Sequence, residues 1–237
     1  MGYTYTDLLA MFGIGGAHPG GLSLTRAILA EINMEDCHNL LEVGCGTGQT
    51  TSYICHHYPC SVYAIDSHPI MITKTNERLS SLNKTAIVKE ASTENLPFAS
   101  GFFDLILSES VTVFTNIQKS LEEYSRVLME KGTLILIEMT EIDTLLESEK
   151  TELKDYYGID QILQEQEWKD LILTSGFKTV EAISVRLEEL EIDDLDFTEF
   201  NISESIDQAF YQMLDKHHEL TSKYTTKLGF RVFLCNK

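Results

Sequence analysis

Glu42, Gly44, Gly46 and Gly48 alternate with other residues in the run Leu41-Glu42-Val43-Gly44-Cys45-Gly46-Thr47-Gly48-Gln49. A glycine-rich turn lets backbone approach a nucleotide-like ligand with no side chain in the way. A dinucleotide fingerprint needs its third glycine three places after the second; here Gly48 follows Gly46 by two. Asp66 stands 18 residues past Gly48, about the interval at which the second strand of a βαβ unit ends. A carboxylate there can accept hydrogen bonds from both hydroxyls of a ribose, although aspartate is also an ordinary strand-end turn residue.

Acid-x-Gly-x-Gly-x-Gly after a strand resembles the first motif of the class I methyltransferases that use S-adenosylmethionine. Three further clusters resemble that family in order and spacing. They are Asp66-Ser67-His68-Pro69-Ile70-Met71, then Ala91 to Phe98 with Gly101 to Leu107, and Ser120 to Leu128 with Lys131-Gly132. The third is similar to the small-molecule branch that includes the quinone C-methyltransferases. Where that branch usually has an aspartate for the adenine amino group, this chain has Ser92, an uncharged acceptor. The resemblance covers roughly residues 39–140. It implies S-adenosylmethionine as cofactor, with the turn under its methionine and ribose and Glu42 orienting the amino end. The site residues it implies are Glu42, Gly44, Cys45, Gly46, Gly48, Gln49, Asp66, Ser67, Met71, Ser92, Thr93 and Ser108.

Methyl transfer from a sulfonium is an in-line displacement, so the first demand on the protein is alignment. A base is needed only if the acceptor must lose a proton. The candidates are His18 in a glycine-rich loop, Glu109 after the fourth strand and Glu138 at the end of the fifth. His18 and Glu109 are the expected catalytic pair, and Tyr3 and Tyr5 are candidates to line the acceptor pocket. The acceptor is expected to be a small molecule with an oxygen, nitrogen or carbon nucleophile. A protein substrate, or cofactor binding without turnover, is the alternative.

The elements that must position these groups alternate. Apolar runs predict strands at 39–43, 61–65 and 133–138, an extended segment at 177–190 and a last strand at 228–235. Helices are predicted at 49–57, at 116–129 with Ile117, Leu121, Tyr124 and Leu128 on one stripe, and at 160–174 capped by Gly176. This is α/β: a Rossmann-like, mainly parallel seven-stranded sheet with helices on both faces. The resemblance implies a last strand running antiparallel beside the fifth. Residues 1–38 read as a helical, glycine-rich cap, 39–190 as the cofactor-binding core, 191–226 as a helical lid and 227–237 as the final core strand. In the lid, Ile206, Phe210, Met213, His217 and Leu220 mark one face, and His217 and His218 are expected to be packing or surface residues.

Eighteen Lys and Arg against 37 Asp and Glu give a net charge of −19. A nucleic-acid enzyme needs a basic surface to neutralise phosphates, so no nucleic-acid substrate is expected. No apolar run approaches the roughly 18 residues that span a bilayer, and no secretory signal is evident; no membrane partner and a cytoplasmic location are expected. Five cysteines without Cys-x-x-Cys spacing read as free thiols. His56 and His57 with nearby cysteines match no common metal spacing, and no metal is expected. The oligomeric state is left open.

Overall fold

The computed structural model describes residues 2–186, 190 and 200–237. Helices α1 (Tyr5–Phe12) and α2 (Gly21–Ala30) precede the sheet. Then β1 (Asn39–Val43), α3 (Gln49–His57), β2 (Ser61–Asp66), α4 (Pro69–Ser81), β3 (Ile87–Glu90) and β4 (Phe103–Glu109) alternate. A 3-10 turn (Thr112–Phe114) leads to α5 (Ile117–Val127), β5 (Leu128–Glu141), α6 (Glu147–Tyr157) and α7 (Glu165–Thr174). The chain ends with β6 (Thr179–Ile183), α8 (Gln208–Tyr224) and β7 (Leu228–Asn236).

The strands form one seven-stranded sheet in the order β3-β2-β1-β4-β5-β7-β6. Only β7 runs antiparallel to its neighbours, β5 and β6. Because strand side chains alternate between faces, the apolar runs feed two cores. Leu41, Val43, Ile106, Leu134 and Leu136 pack with Leu121, Tyr124 and Trp168 of α5 and α7. Leu40, Leu105, Leu107, Ile135 and Ile137 pack with Leu24, Leu29 and Ile54 of α2 and α3. Strands covered on both faces read as nearly unbroken hydrophobic sequence. A third cluster of Tyr5, Leu8, Phe12, Leu153, Tyr157, Phe210, Leu220 and Tyr224 joins α1, α6 and α8.

Several boundaries differ from the sequence reading. The sheet strand β5 begins at Leu128, not Thr133, because fully buried Leu128 pairs with Phe103 across a register shift. The helix expected from Asp160 starts at Glu165. Leu163 O accepts from the Glu141 N–H at 3.0 Å, which holds that segment extended. The Glu167 carboxylate accepts from the Gln164 N–H at 2.8 Å and so sets the helix start. Helix α6, absent from the sequence reading, ends at left-handed Gly158. Helix α1 is fixed by a capping box: the Asp7 N–H donates to Thr4 Oγ1 at 3.1 Å, and the Thr4 N–H donates to Asp7 Oδ2 at 2.7 Å. Residues 191–199 of the expected lid, and 187–189 of the expected extended segment, lie outside the described residues. Among the described residues no helix is long and apolar enough to cross a membrane.

Candidate active site

The carboxyl ends of β1, β2 and β4 meet at a cavity of about 1190 Å³. β1 runs straight into the glycine turn. Gly44 has φ +67°, and a Cβ on it would collide with Val111. Gly46 has φ +55°, and a Cβ there would meet no atom within 4 Å. One glycine therefore makes room for the protein's own packing and the other faces open cavity. Gly48 caps α3 against Thr75 of α4 and does not line the cavity.

The turn is tied to the end of β2. The Gly46 N–H donates to Asp66 Oδ2 at 3.0 Å, and the His68 N–H donates to Asp66 Oδ1 at 2.8 Å. Thr75 Oγ1 donates to the Gly46 carbonyl at 2.7 Å. Burial pushes the Asp66 carboxyl above the usual carboxylate range, against the pull of these donors. Glu42 is 3% exposed and accepts from Thr51 Oγ1 at 2.5 Å. Burial, then the neighbouring Glu109 and Asp66 carboxylates, push its carboxyl well above the ordinary range.

Glu109 completes a group of three carboxylates. It accepts from Thr25 Oγ1 at 2.5 Å and from Thr50 Oγ1 at 3.0 Å. His18 Nε2 lies 3.4 Å from Glu109 Oε1, with the two side chains 4% and 8% exposed. The other ring nitrogen, Nδ1, lies 3.3 Å from the Pro19 carbonyl. Each nitrogen of His18 thus already faces a protein oxygen. Ser110, next along the chain, is a non-glycine residue at φ +57° on the cavity wall. Such backbone costs about 1–2 kcal/mol and clusters at functional sites.

Cys45, Gln49, Ser67, Met71, Ser92 and Thr93 also line the cavity, as does Tyr5. Four expected positions do not: Gly48, Ser108, Glu138 and Tyr3. Ser108 shares the face of Ile106, where its hydroxyl is 3.0 Å from Thr112 Oγ1; Glu109, one residue on, takes the opposite face. Glu138 is fully buried and caps the 3-10 turn, accepting from the N–H groups of Thr112 at 2.8 Å and Val111 at 3.2 Å. It acts as a wedge under the Glu109–Val113 bend. Tyr3 is 51% exposed and bonds Asp207 outside the cavity.

Three groups escaped sequence reading. Thr47 Oγ1 is buried on the cavity wall without a hydrogen-bond partner among the described residues. Tyr157 Oη lies 3.1 Å from His217 Nδ1, and both residues line the cavity. His217, expected to be a packing or surface residue, is therefore a wall residue. Of these, only Thr47 carried a signal, through its place inside the glycine turn.

The chain matches the family described as Methyltransferase domain over residues 41–136. It is 37% identical over 234 residues to an uncharacterized methyltransferase, YodH, of Bacillus subtilis, covering 98% of this chain and 99% of that protein. It is 27% identical to the phosphoethanolamine N-methyltransferase of Plasmodium falciparum, over 72% of this chain and 65% of that one. Among solved structures, phosphoethanolamine N-methyltransferase 2 of Haemonchus contortus with S-adenosyl-L-methionine superposes with a TM-score of 0.76 at 20% identity. That match covers 99% of this chain and 57% of the other. A putative sarcosine dimethylglycine methyltransferase from Galdieria sulphuraria gives 0.72 at 15% identity, over 92% and 84% of the two chains. The chain belongs to the S-adenosylmethionine-dependent methyltransferases.

Proposed function

We propose that this enzyme methylates a small-molecule acceptor enclosed between the strand tips and helices α1, α6 and α8. The observation that carries this reading is the cavity. Drug-sized ligands occupy roughly 300–1,000 Å³, and a single continuous space of about 1190 Å³ runs from Asp66 to Tyr224. It has room for a cofactor and a second small molecule.

The residues present fit a cationic cofactor. Glu42, Asp66 and Glu109 bring three carboxylates to the wall, and no Lys or Arg is among the lining residues. Such a wall suits a sulfonium and an ammonium and opposes the phosphates of NAD or ATP. When bound, S-adenosylmethionine supplies an electrophilic methyl for in-line displacement. Asp66 would accept the ribose hydroxyls, since each of its oxygens has a lone pair beyond its backbone bond. Glu42 and the unpartnered Thr47 hydroxyl would hold the amino-acid end, beside open Gly46. Met71, Ser92 and Thr93 would border the adenine. His18 and Glu109, joined into one unit, would position the acceptor and take its proton where the nucleophile is a hydroxyl or an acidic carbon. The cover is read as residues 1–38 and 191–226, with 39–190 and 227–237 as the core, in a cytoplasmic enzyme without nucleic-acid or membrane partners.

Labelled S-adenosylmethionine incubated with a fractionated metabolite extract and, separately, with total protein tests the reading. Label is expected in the metabolite fraction. Label confined to protein would replace it with protein methylation, and cofactor binding with no transfer to either would replace it with a non-catalytic role.

A further inference from the structure

The walls of the cavity differ in charge. Among the described residues its carboxylates all come from strand tips: Glu42 of β1, Asp66 of β2 and Glu109 of β4. The lining residues of α1, α6 and α8 include no Asp, Glu, Lys or Arg. Aromatic rings and leucines make up most of that wall. Tyr5 sits 4.9 Å from Tyr157 and 5.9 Å from Phe114, centroid to centroid, and 5.3 Å from the His217 ring. These rings contact one another instead of standing apart as an open cage for an ammonium.

Burial favours the neutral forms of three polar groups on this wall. Burial raises the phenols of Tyr5 and Tyr157 further above their ordinary value. Burial, then His218, lowers His217 below its ordinary 6.5. The titratable groups facing His217 are Tyr5 of α1, Tyr156 and Tyr157 of α6 and His218 of α8, and none is a carboxylate. With Tyr157 engaged at Nδ1, His217 Nε2 forms no hydrogen bond among the described residues.

No Lys or Arg lines the cavity among the described residues. Lys74 donates to the Asn201 carbonyl beside Gly13, and Arg78 donates to the Thr47 carbonyl of the glycine turn. Residues 187–189 and 191–199 contain neither lysine nor arginine. A phosphate or carboxylate on this wall would be desolvated without a counter-charge, which costs several kcal/mol.

We infer that the helical wall takes an uncharged, largely apolar, ring-sized part of the acceptor and anchors one neutral polar substituent on the Tyr157–His217 pair. This rests on the small-molecule reading and narrows it, and it separates this chain from relatives whose names specify phosphate- or carboxylate-bearing acceptors.

Calorimetric titration of protein saturated with S-adenosylhomocysteine tests it. The probes are 2-naphthol, 2,6-dihydroxynaphthalene, 6-hydroxy-2-naphthoate, 6-hydroxynaphthalene-2-sulfonate and 6-(aminomethyl)-2-naphthol. The dihydroxy compound should bind at least about tenfold tighter than the three charged ones. Tyr157→Phe, which removes only a hydroxyl, and His217→Gln should each weaken the dihydroxy compound about fivefold and leave naphthalene, a further probe with no polar substituent, unchanged. A charged probe binding as tightly as the dihydroxy compound, variants that leave the dihydroxy compound unchanged or weaken naphthalene equally, or no binding by any probe would each overturn the assignment. Label transfer to a charged metabolite alone would overturn it while leaving the small-molecule reading intact; transfer to protein alone would remove both.

Discussion

Gly46 and Asp66 are joined by a 3.0 Å hydrogen bond from backbone N–H to carboxylate, across two strands that are neighbours in the sheet. The glycine turn after β1 and the acid after β2 are therefore one rigid unit. Asp66→Ala removes this strut together with the charged acceptor placed for ribose hydroxyls. It should weaken binding of S-adenosylhomocysteine by about 1.5–3 kcal/mol in calorimetry. Unchanged affinity would show Asp66 to be a turn residue alone.

Gly44 and Gly46 should respond differently to alanine. Both have positive φ, but only Gly44→Ala also drives a methyl into Val111. Gly44→Ala should cost about 2–4 kcal/mol of unfolding free energy in urea. Gly46→Ala should cost about 1–2 kcal/mol from backbone strain, with its larger effect on cofactor affinity. Equal stability losses with equal affinity losses would remove the distinction between packing glycine and ligand-facing glycine.

Glu138 should make stability fall as pH rises. Burial raises its carboxyl from the ordinary 4.5 to about 7 in the folded chain. The fold favours the protonated form, so this contribution is complete below pH 4.5 and lost as pH climbs through 7. The loss is about 3 kcal/mol by linkage. Glu138→Gln stays neutral at all pH, so its stability relative to the parent should rise between pH 4.5 and pH 8 in urea titrations. Parallel pH profiles for the two proteins would contradict this.

The segment from Gly13 to Gly21 is expected to tighten when ligand binds. It lies between α1 and α2, carries His18 to Glu109, and supplies Gly16, Ala17, His18 and Pro19 to the cavity wall. Amide exchange across residues 13–21 should slow on addition of S-adenosylhomocysteine, because ordering is then offset by contact. Exchange indifferent to ligand would mean that the segment is only packing.

The strand, glycine turn and helix at 39–57 were legible because each signal is local: an apolar run, three glycines at fixed spacing and a helix-compatible stretch. Asp66 followed from its distance to that turn. What the sequence hid depends on parity and on tertiary burial. Ser108 and Glu109 lie on opposite faces of β4, and a strand end misplaced by one residue exchanges them. His217 shares its helix face with Phe210 and Leu220 and so reads as packing, yet that face looks partly into a cavity that α6 and α1 create. Tyr3 and Tyr5 are two residues apart, but the capping box at Thr4 and Asp7 starts the helix between them and sends only Tyr5 inward.

Thermal unfolding with and without ligand tests most directly whether the cavity is built for a cationic adenosyl cofactor. S-adenosylhomocysteine and S-adenosylmethionine, each at about a hundred times Kd, should add roughly 2.7 kcal/mol and raise Tm by about 5–10 °C. NAD and ATP at the same concentrations should leave Tm unchanged, because their phosphates meet Glu42, Asp66 and Glu109 with no cation on the wall. A rise with NAD or ATP and none with either adenosyl compound would contradict it.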